Sequence, residues 1–534
     1  MTTSADEAVP ATRTAPARAV RGALAARSPR AVFWLSWVVL TALSGIWAVA
    51  NPMGASPDEP AHIVRAAALV NQEELTEVRP GVWHADLPWI YGITHEMPGC
   101  FAFDSTKPAS CWPQDFGDVA EVRGTTTTAG NYNPLYYAVV GLPALLPPGL
   151  DVLYLMRLTS AVLCSLCLAL GLRTVAETAR RRWTVAAVAV AITPMAVFMN
   201  STVNPNAVEV AAGLGLWLTL LLTLRDPDPD PVLVRRRWWR AGFLVVLLVN
   251  AKAFSPLYLA IIVVAVAVLA GWRPVRSVLT DRRAWPGLAL GVVGSVAAVL
   301  WTLGAGAVSG AGIVAYPELG YRRALNNVLR LTSSYVEQQF GRFGWHDTPA
   351  PGTVYLLLAA ALGLLVVLAL AVGRRREWLA LVGVAALVVA LPVVLQVPNA
   401  SQVGLPWQGR YLMAVSVGVP LIAGVLLDAR FEVAGRVARR VSWILLAVAG
   451  VVQVMSFWEN LRRYVAGTSA PWFEPVDAPW APPLPAPLLL AAAVVAVGAV
   501  VALLVWLARD AVPRPAATLG SPDPAVADRP VQQV

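Results

Sequence analysis

Two adjacent acids and a histidine stand directly after the first apolar run of the chain, in Ser56-Pro57-Asp58-Glu59-Pro60-Ala61-His62. Ser56 and Glu59 have the spacing of a helix capping box, and acids favour a helix N-terminus. Helix initiation therefore explains one acid. It does not explain a second acid and a histidine. Asp58 and His62, four residues apart, would share one helix face. Such a pair can accept a proton, or hold a metal together with other ligands. Asp58, Glu59 and His62 are the candidate catalytic residues. Asp58 and Glu59 are also the candidate ligands if a divalent metal (Mg or Mn) takes part.

Four further clusters combine polar side chains with apolar surroundings. Asn131-Tyr132-Asn133-Pro134-Leu135-Tyr136-Tyr137 reads equally well as an aromatic interfacial anchor. Asn200-Ser201-Thr202-Val203-Asn204-Pro205-Asn206 joins two apolar runs, with Glu209 one turn into the second; an ordinary loop there would also be polar. Asn250-Ala251-Lys252-Ala253-Phe254-Ser255-Pro256 puts a lysine between two short apolar runs. A charge near membrane depth is costly and is usually paired or functional, although a lysine can also snorkel to the interface. Gln408-Gly409-Arg410-Tyr411 places a guanidinium, a good match for phosphate, at the start of a run. Arg157 raises the same question. The candidate substrate-binding residues are Tyr132, Asn204, Asn206, Lys252, Gln408, Arg410 and Tyr411. Asn326 to Phe340 reads as an amphipathic interfacial helix, followed by Arg342, Trp345, His346 and Asp347. Glu459, Asn460, Arg462 and Arg463 form a last, ambiguous group.

What must position these residues is a membrane bundle. Of 534 residues, 57% are hydrophobic and 14% charged, against about 25% charged in soluble domains. Apolar runs cover roughly 31–50, 153–172, 184–199, 207–224, 240–251, 256–271, 284–303, 352–372, 378–396, 410–427, 441–457 and 485–508. Many approach the length of about 20 residues that crosses a hydrocarbon core. They predict an all-α, polytopic helical bundle of about 12 spans over 31–508. Tails 1–30 and 509–534 read as disordered and cytoplasmic. The 31–50 run ends in Ala48-Val49-Ala50, a possible cleavage site, but is longer than a signal-peptide core and reads as an uncleaved span.

Charge sets the orientation. Arginines fill the first tail, 180–182, 235–240, 273–283, 374–376 and 430–440, and these six segments alternate with the others if 134–150 does not cross. That segment, broken by Pro143, Pro147 and Pro148, then reads as re-entrant or interfacial within a long first external loop, 51–151; 304–351 is the second large loop. If 134–150 crosses, the topology fails upstream of residue 173. The arrangement implies a multi-pass plasma-membrane protein with both termini cytoplasmic. All four histidines (His62, His84, His95, His346) and every motif above lie on the extracytoplasmic face. The net charge of +9 sits in short loops, so no nucleic-acid partner is expected. Cys164 and Cys167 lie inside an apolar run and read as packing residues. Cys100 and Cys111 share the first external loop, where a disulfide is an open alternative.

The acidic motif after the first span, the Tyr-x-Pro-x-Tyr segment, the Asn-rich turn and Gln408-Gly409-Arg410-Tyr411 resemble the predicted-membrane-protein family called domain of unknown function 2142, over roughly residues 31–465. That family is similar to the GT-C class of integral-membrane glycosyltransferases. The resemblance implies a GT-C-like fold and transfer of a sugar from a polyprenyl-phosphate donor to a cell-envelope glycan, lipid or protein. It implies Asp58 as base or metal ligand, with Glu59 and His62 assisting, and Lys252 and Arg410 on the donor phosphate. The turn at Asn204-Pro205-Asn206 departs from the class, which often carries an acid there. Two rival readings remain at this stage. One is a transporter or flippase for a lipid-linked glycan; the other is a non-catalytic envelope-assembly protein. A polymerase or ligase would share the same face and substrates.

Overall fold

The computed structural model describes residues 28–111, 115–225, 230–306, 315–431, 435–472 and 480–509. Most of both tails read as disordered lies outside the described residues. Leaving single turns unnumbered, the chain forms α1 (Pro29–Ala50), α2 (Glu59–Val70), β1 (Thr76–Arg79), β2 (Val82–Pro88), β3 (Val122–Thr127), α3 (Pro134–Val140) and α4 (Leu150–Ala176). There follow α5 (Arg182–Ala191), α6 (Pro194–Asn200), α7 (Pro205–Arg225), α8 (Pro231–Val249), α9 (Ser255–Ala270), α10 (Trp272–Thr280) and α11 (Trp285–Gly304). The last part holds α12 (Tyr321–Arg330), α13 (Thr332–Gly341), the two-residue strands β4 (Arg342–Phe343) and β5 (Thr348–Pro349), α14 (Gly352–Val372), α15 (Arg375–Gln396), α16 (Gly418–Arg430), α17 (Gly435–Ala466) and α18 (Ala486–Ala508).

Among the described residues, nine helices are long and apolar enough to cross a membrane, and eleven spans result if two bent pairs each count as one. The α5–α6 pair bends by 65° where Pro194 cannot continue the ladder and Thr193 caps the new turn. The twelfth expected span, 240–251, lies in α8, whose first half carries Arg235, Arg236, Arg237 and Arg240. Its length suffices, but only its second half is apolar. Seven-residue α3 rises roughly 10 Å, far short of a hydrocarbon core about 30 Å thick. The outward faces of the bundle are belts of bare apolar side chains, among them Val292, Leu300, Leu303, Leu356 and Val495. An exposed apolar surface of that extent belongs against lipid.

Helix α7 is the buried centre. Two groups of contacts tie the helix ends together at opposite ends of the bundle. At one end Arg225 of α7 and Arg430 of α16 share Glu377 of α15, while Arg237 and Arg240 of α8 share Glu177 after α4. At the other end Arg157 of α4 meets the end of α1 and the start of α2, and Asn133 bonds Asn250 after α8. The polar loops gather at this second end.

Those loops carry structure that the apolar pattern did not suggest. β1, β2 and β3 form an antiparallel sheet in that order, with His84 opposite Thr126. Cys100 and Cys111 are disulfide-bonded. The amphipathic stretch 326–340 is divided at Leu331 into α12 and α13, and its apolar residues Val328 and Tyr335 pack on Val397 and Ala400 of the chain itself. Cys164 and Cys167 are buried packing residues in α4. Close helix approach fixes the last geometry that matters: a Cβ on Gly242 of α8 would lie 2.2 Å from the carbonyl oxygen of Gly287 in α11. Only glycine lets the two backbones touch.

Candidate functional site

Helix α2 begins at Glu59 with Asp58 at its N-cap, and Asp58 has φ +65°. Aspartate tolerates this left-handed conformation better than most residues, at some cost. The capping-box expectation is not realised: among the described residues Ser56 Oγ finds no hydrogen-bond partner, and the Asp58 side chain makes no capping hydrogen bond to the helix. The Asp58 side chain is instead turned to Arg410, whose Nη2 donates to Oδ2. Arg410 is fully buried, whereas the Asp58 side chain is 47% exposed. Burial alone would raise the Asp58 carboxyl; Arg410, with Lys252 and His62 farther off, outweighs it and holds the group below the usual carboxylate range.

Glu59 points the other way. Both its oxygens accept from Arg157, at 2.8 and 2.6 Å, and Oε1 also accepts from the Val203 amide at 3.1 Å. Arg157 spends its remaining donors on the carbonyls of Ala48, Asn51 and Pro52. Glu59 thus locks α1, α2, α4 and the 200–206 turn together, with no open valence toward solvent. His62 is buried too. Its Nδ1 lies 2.8 Å from the Tyr137 hydroxyl, and burial pushes the ring down to about 3, so it is neutral at pH 7. Of the three candidate catalytic residues, only Asp58 is accessible.

The Asn-rich turn and the Tyr-rich segment brace this arrangement. Asn204 donates to the Pro57 carbonyl and its amide donates to the Tyr136 hydroxyl. Asn133 caps α3. Neither tyrosine of Tyr136-Tyr137 is an interfacial anchor; both are buried. Gly409 puts the Gln408-Gly409-Arg410-Tyr411 segment in place, because a Cβ there would lie 2.1 Å from the Tyr335 carbonyl oxygen.

Beside Asp58 and Arg410 opens a cavity of about 670 Å³, a usual size for a small-molecule site. Tyr132, Lys252 and Tyr411 line it, as do Glu209, Trp301 and Trp407. The Lys252 Nζ donates to Asn206 Oδ1 at 2.7 Å and stands 4.4 Å from the centroid of the Tyr411 ring. Burial lowers its pKa to about 8, opposed by Glu209 and Asp58. Asp58, Glu59, His62, Asn204, Asn206, Gln408 and Arg410 do not line the cavity; Asn206 reaches it through Lys252 and Arg410 through its neighbour Tyr411. Glu209, one turn past the asparagines, lines the cavity as well, although its sequence position alone does not place it among the candidate site residues.

Among the described residues, no group of three His, Cys, Asp or Glu side chains could hold a metal ion. The donor set of the acidic motif suits a metal poorly, since Asp58 and Glu59 each contact an arginine that competes with a dication.

The family described as "Predicted membrane protein (DUF2142)" matches residues 42–419. No curated protein and no solved structure matches the chain. The match covers well over half of the sequence, and the chain belongs to that family.

Proposed function

We propose that this member of the DUF2142 family is a GT-C-like membrane glycosyltransferase. It takes a sugar from a polyprenyl-phosphate donor and passes it to a cell-envelope glycan, lipid or protein on the extracytoplasmic face of the plasma membrane. One observation carries the reading: Lys252 lines a cavity at one end of an apolar bundle, and the accessible Asp58 with its buried partner Arg410 lies near enough to act electrostatically on that lysine. The lysine and arginine suit a phosphate; aromatic rings and amides on the wall suit a sugar.

In the proposed reaction the acceptor hydroxyl oxygen attacks the anomeric carbon. The bond from that carbon to the phosphate oxygen breaks, its electron pair leaving with the polyprenyl phosphate. The hydroxyl proton passes to Asp58. Lys252 and Arg410 neutralise the leaving phosphate. Arg410 keeps Asp58 a weak base at rest; a phosphate that draws Arg410 to itself would restore its basicity. Glu59 and His62 act by positioning, and no step uses a metal.

The contact of Asp58 with Arg410 also suits a non-catalytic envelope-assembly protein. Purified protein in lipid separates the two readings. A sugar supplied on a polyprenyl phosphate should be passed on, while the same sugar on a nucleotide should not. Transfer from the nucleotide instead, or from neither donor, would sink the glycosyltransferase reading.

A further inference from the structure

Glu209 is the feature that the proposed reaction leaves unexplained. It is 1% exposed, yet it borders the cavity from within the apolar centre of the bundle. An acid in such a place is expensive and calls for a reason. No arginine or lysine bonds it directly among the described residues. Its two oxygens are taken by neutral groups: Oε1 accepts from the Ser255 hydroxyl at 2.5 Å, and Oε2 from the Asn206 amide at 2.9 Å.

Both of these neutral groups go on to Lys252. The Ser255 Oγ accepts from the Lys252 backbone amide at 3.1 Å, which fixes the turn between α8 and α9. The Asn206 Oδ1 accepts from the Lys252 ammonium at 2.7 Å. Because Glu209 accepts from Nδ2, the Asn206 amide cannot flip; its oxygen must face the lysine. Each end of Lys252, backbone and ammonium, is therefore joined to Glu209 through one intermediary.

We propose that Glu209 is a positioning residue for Lys252: through Asn206 and Ser255 it aims the ammonium into the cavity. Its intervening partners stop it from neutralising the lysine in a direct ion pair, so the ammonium keeps donors for an anion in the cavity. The consequence for a lipid phosphate rests on the glycosyltransferase reading; the control of Lys252 does not.

The charged groups acting on Lys252 are Glu209 on α7, Asp58 at the start of α2 and Arg410 before α16. Glu209 and Asp58 favour its charged form, whereas burial and Arg410 oppose it. Removing the Glu209 charge should lower the pH at which Lys252 loses its proton.

The chain makes this measurable, since Lys107 and Lys252 are its only lysines and Lys107 is exposed. Reductive methylation with a carbon-13 label gives one resonance for each lysine, besides that of the α-amino group, to follow against pH in the full-length protein. Lys252 should titrate near pH 8. In Glu209→Gln, whose amide oxygen can still accept from Asn206 while its NH2 donates to the Ser255 hydroxyl oxygen, the Lys252 midpoint should fall by about one unit or more. Glu209→Asp should recover part of the shift. An unchanged Lys252 midpoint in folded Glu209→Gln would overturn the proposal. Binding of farnesyl phosphate, read by quenching of cavity tryptophans, tests the donor reading separately. Its absence in wild type would count against the donor and leave the titration result standing.

Discussion

The two ends of the bundle use the same residue types in opposite ways. At the arginine-rich end, each buried acid is saturated. Glu377 is held by Arg225 and Arg430 at 3.1 and 2.8 Å, and Glu177 by Arg237 and Arg240 at 3.1 and 2.6 Å. Each acid joins separate helices. At the other end Glu59 and Arg157 form one such clamp, fully buried. Next to it stand groups with unused capacity: an accessible Asp58, and a Lys252 bonded to a neutral amide at the head of a cavity. Saturated charges hold helices together. Unsaturated ones next to open volume are where a ligand can be bound and a proton moved.

The sharpest way to break this contrast is to unbalance a clamp. Arg157→Met leaves Glu59 buried without its partner, and removing one member of a buried pair costs about 3–5 kcal/mol. Thermal unfolding in detergent should show that loss, and a variant as stable as wild type would refute the clamp. Lys252→Met should leave the fold intact but weaken farnesyl phosphate binding about 10- to 100-fold, as expected for a charge-assisted contact; titration by tryptophan quenching reads it. The same binding should depend on pH with a definite sign. Lys252 is charged below about 8, so affinity should be full at lower pH and lost as pH rises through that value. A flat profile between pH 7 and 9 would exclude Lys252 as the anion site. The smallest effect belongs to the far end. Glu377→Gln should cost about 1 kcal/mol, because its arginines are partly solvated, and should leave transfer unchanged.

How much of this was legible in the sequence follows from the range of each signal. Apolar runs and arginine clusters are local, so the helices and the two kinds of helix end could be read directly. The prolines that break 134–150 are equally local, and the helix α3 within that segment has seven residues. The antiparallel sheet was not: β2 and β3 are separated by more than 30 residues of loop, and their short polar strands lack a strong period. Pairings were the hardest part. Arg157 and Arg410 each called for an anion, but nothing local could say that these anions were Glu59 and Asp58, 98 and 352 residues away. Those pairings divide two adjacent acids, equal in the sequence, into one buried clamp and one accessible carboxylate. Glu209 stands beside the Asn-rich motif in the sequence, but its link to Lys252 is not legible there because its partners Asn206 and Ser255 come from two different turns.

The most direct test is sugar transfer from polyprenyl-phosphate donors to envelope acceptors, by purified protein in lipid, comparing wild type with an equally folded Asp58→Asn variant. Wild type should transfer, and the variant should lose activity by a factor on the order of a thousand, as for loss of a general base. Transfer undiminished in Asp58→Asn would contradict the assignment of Asp58 as the base.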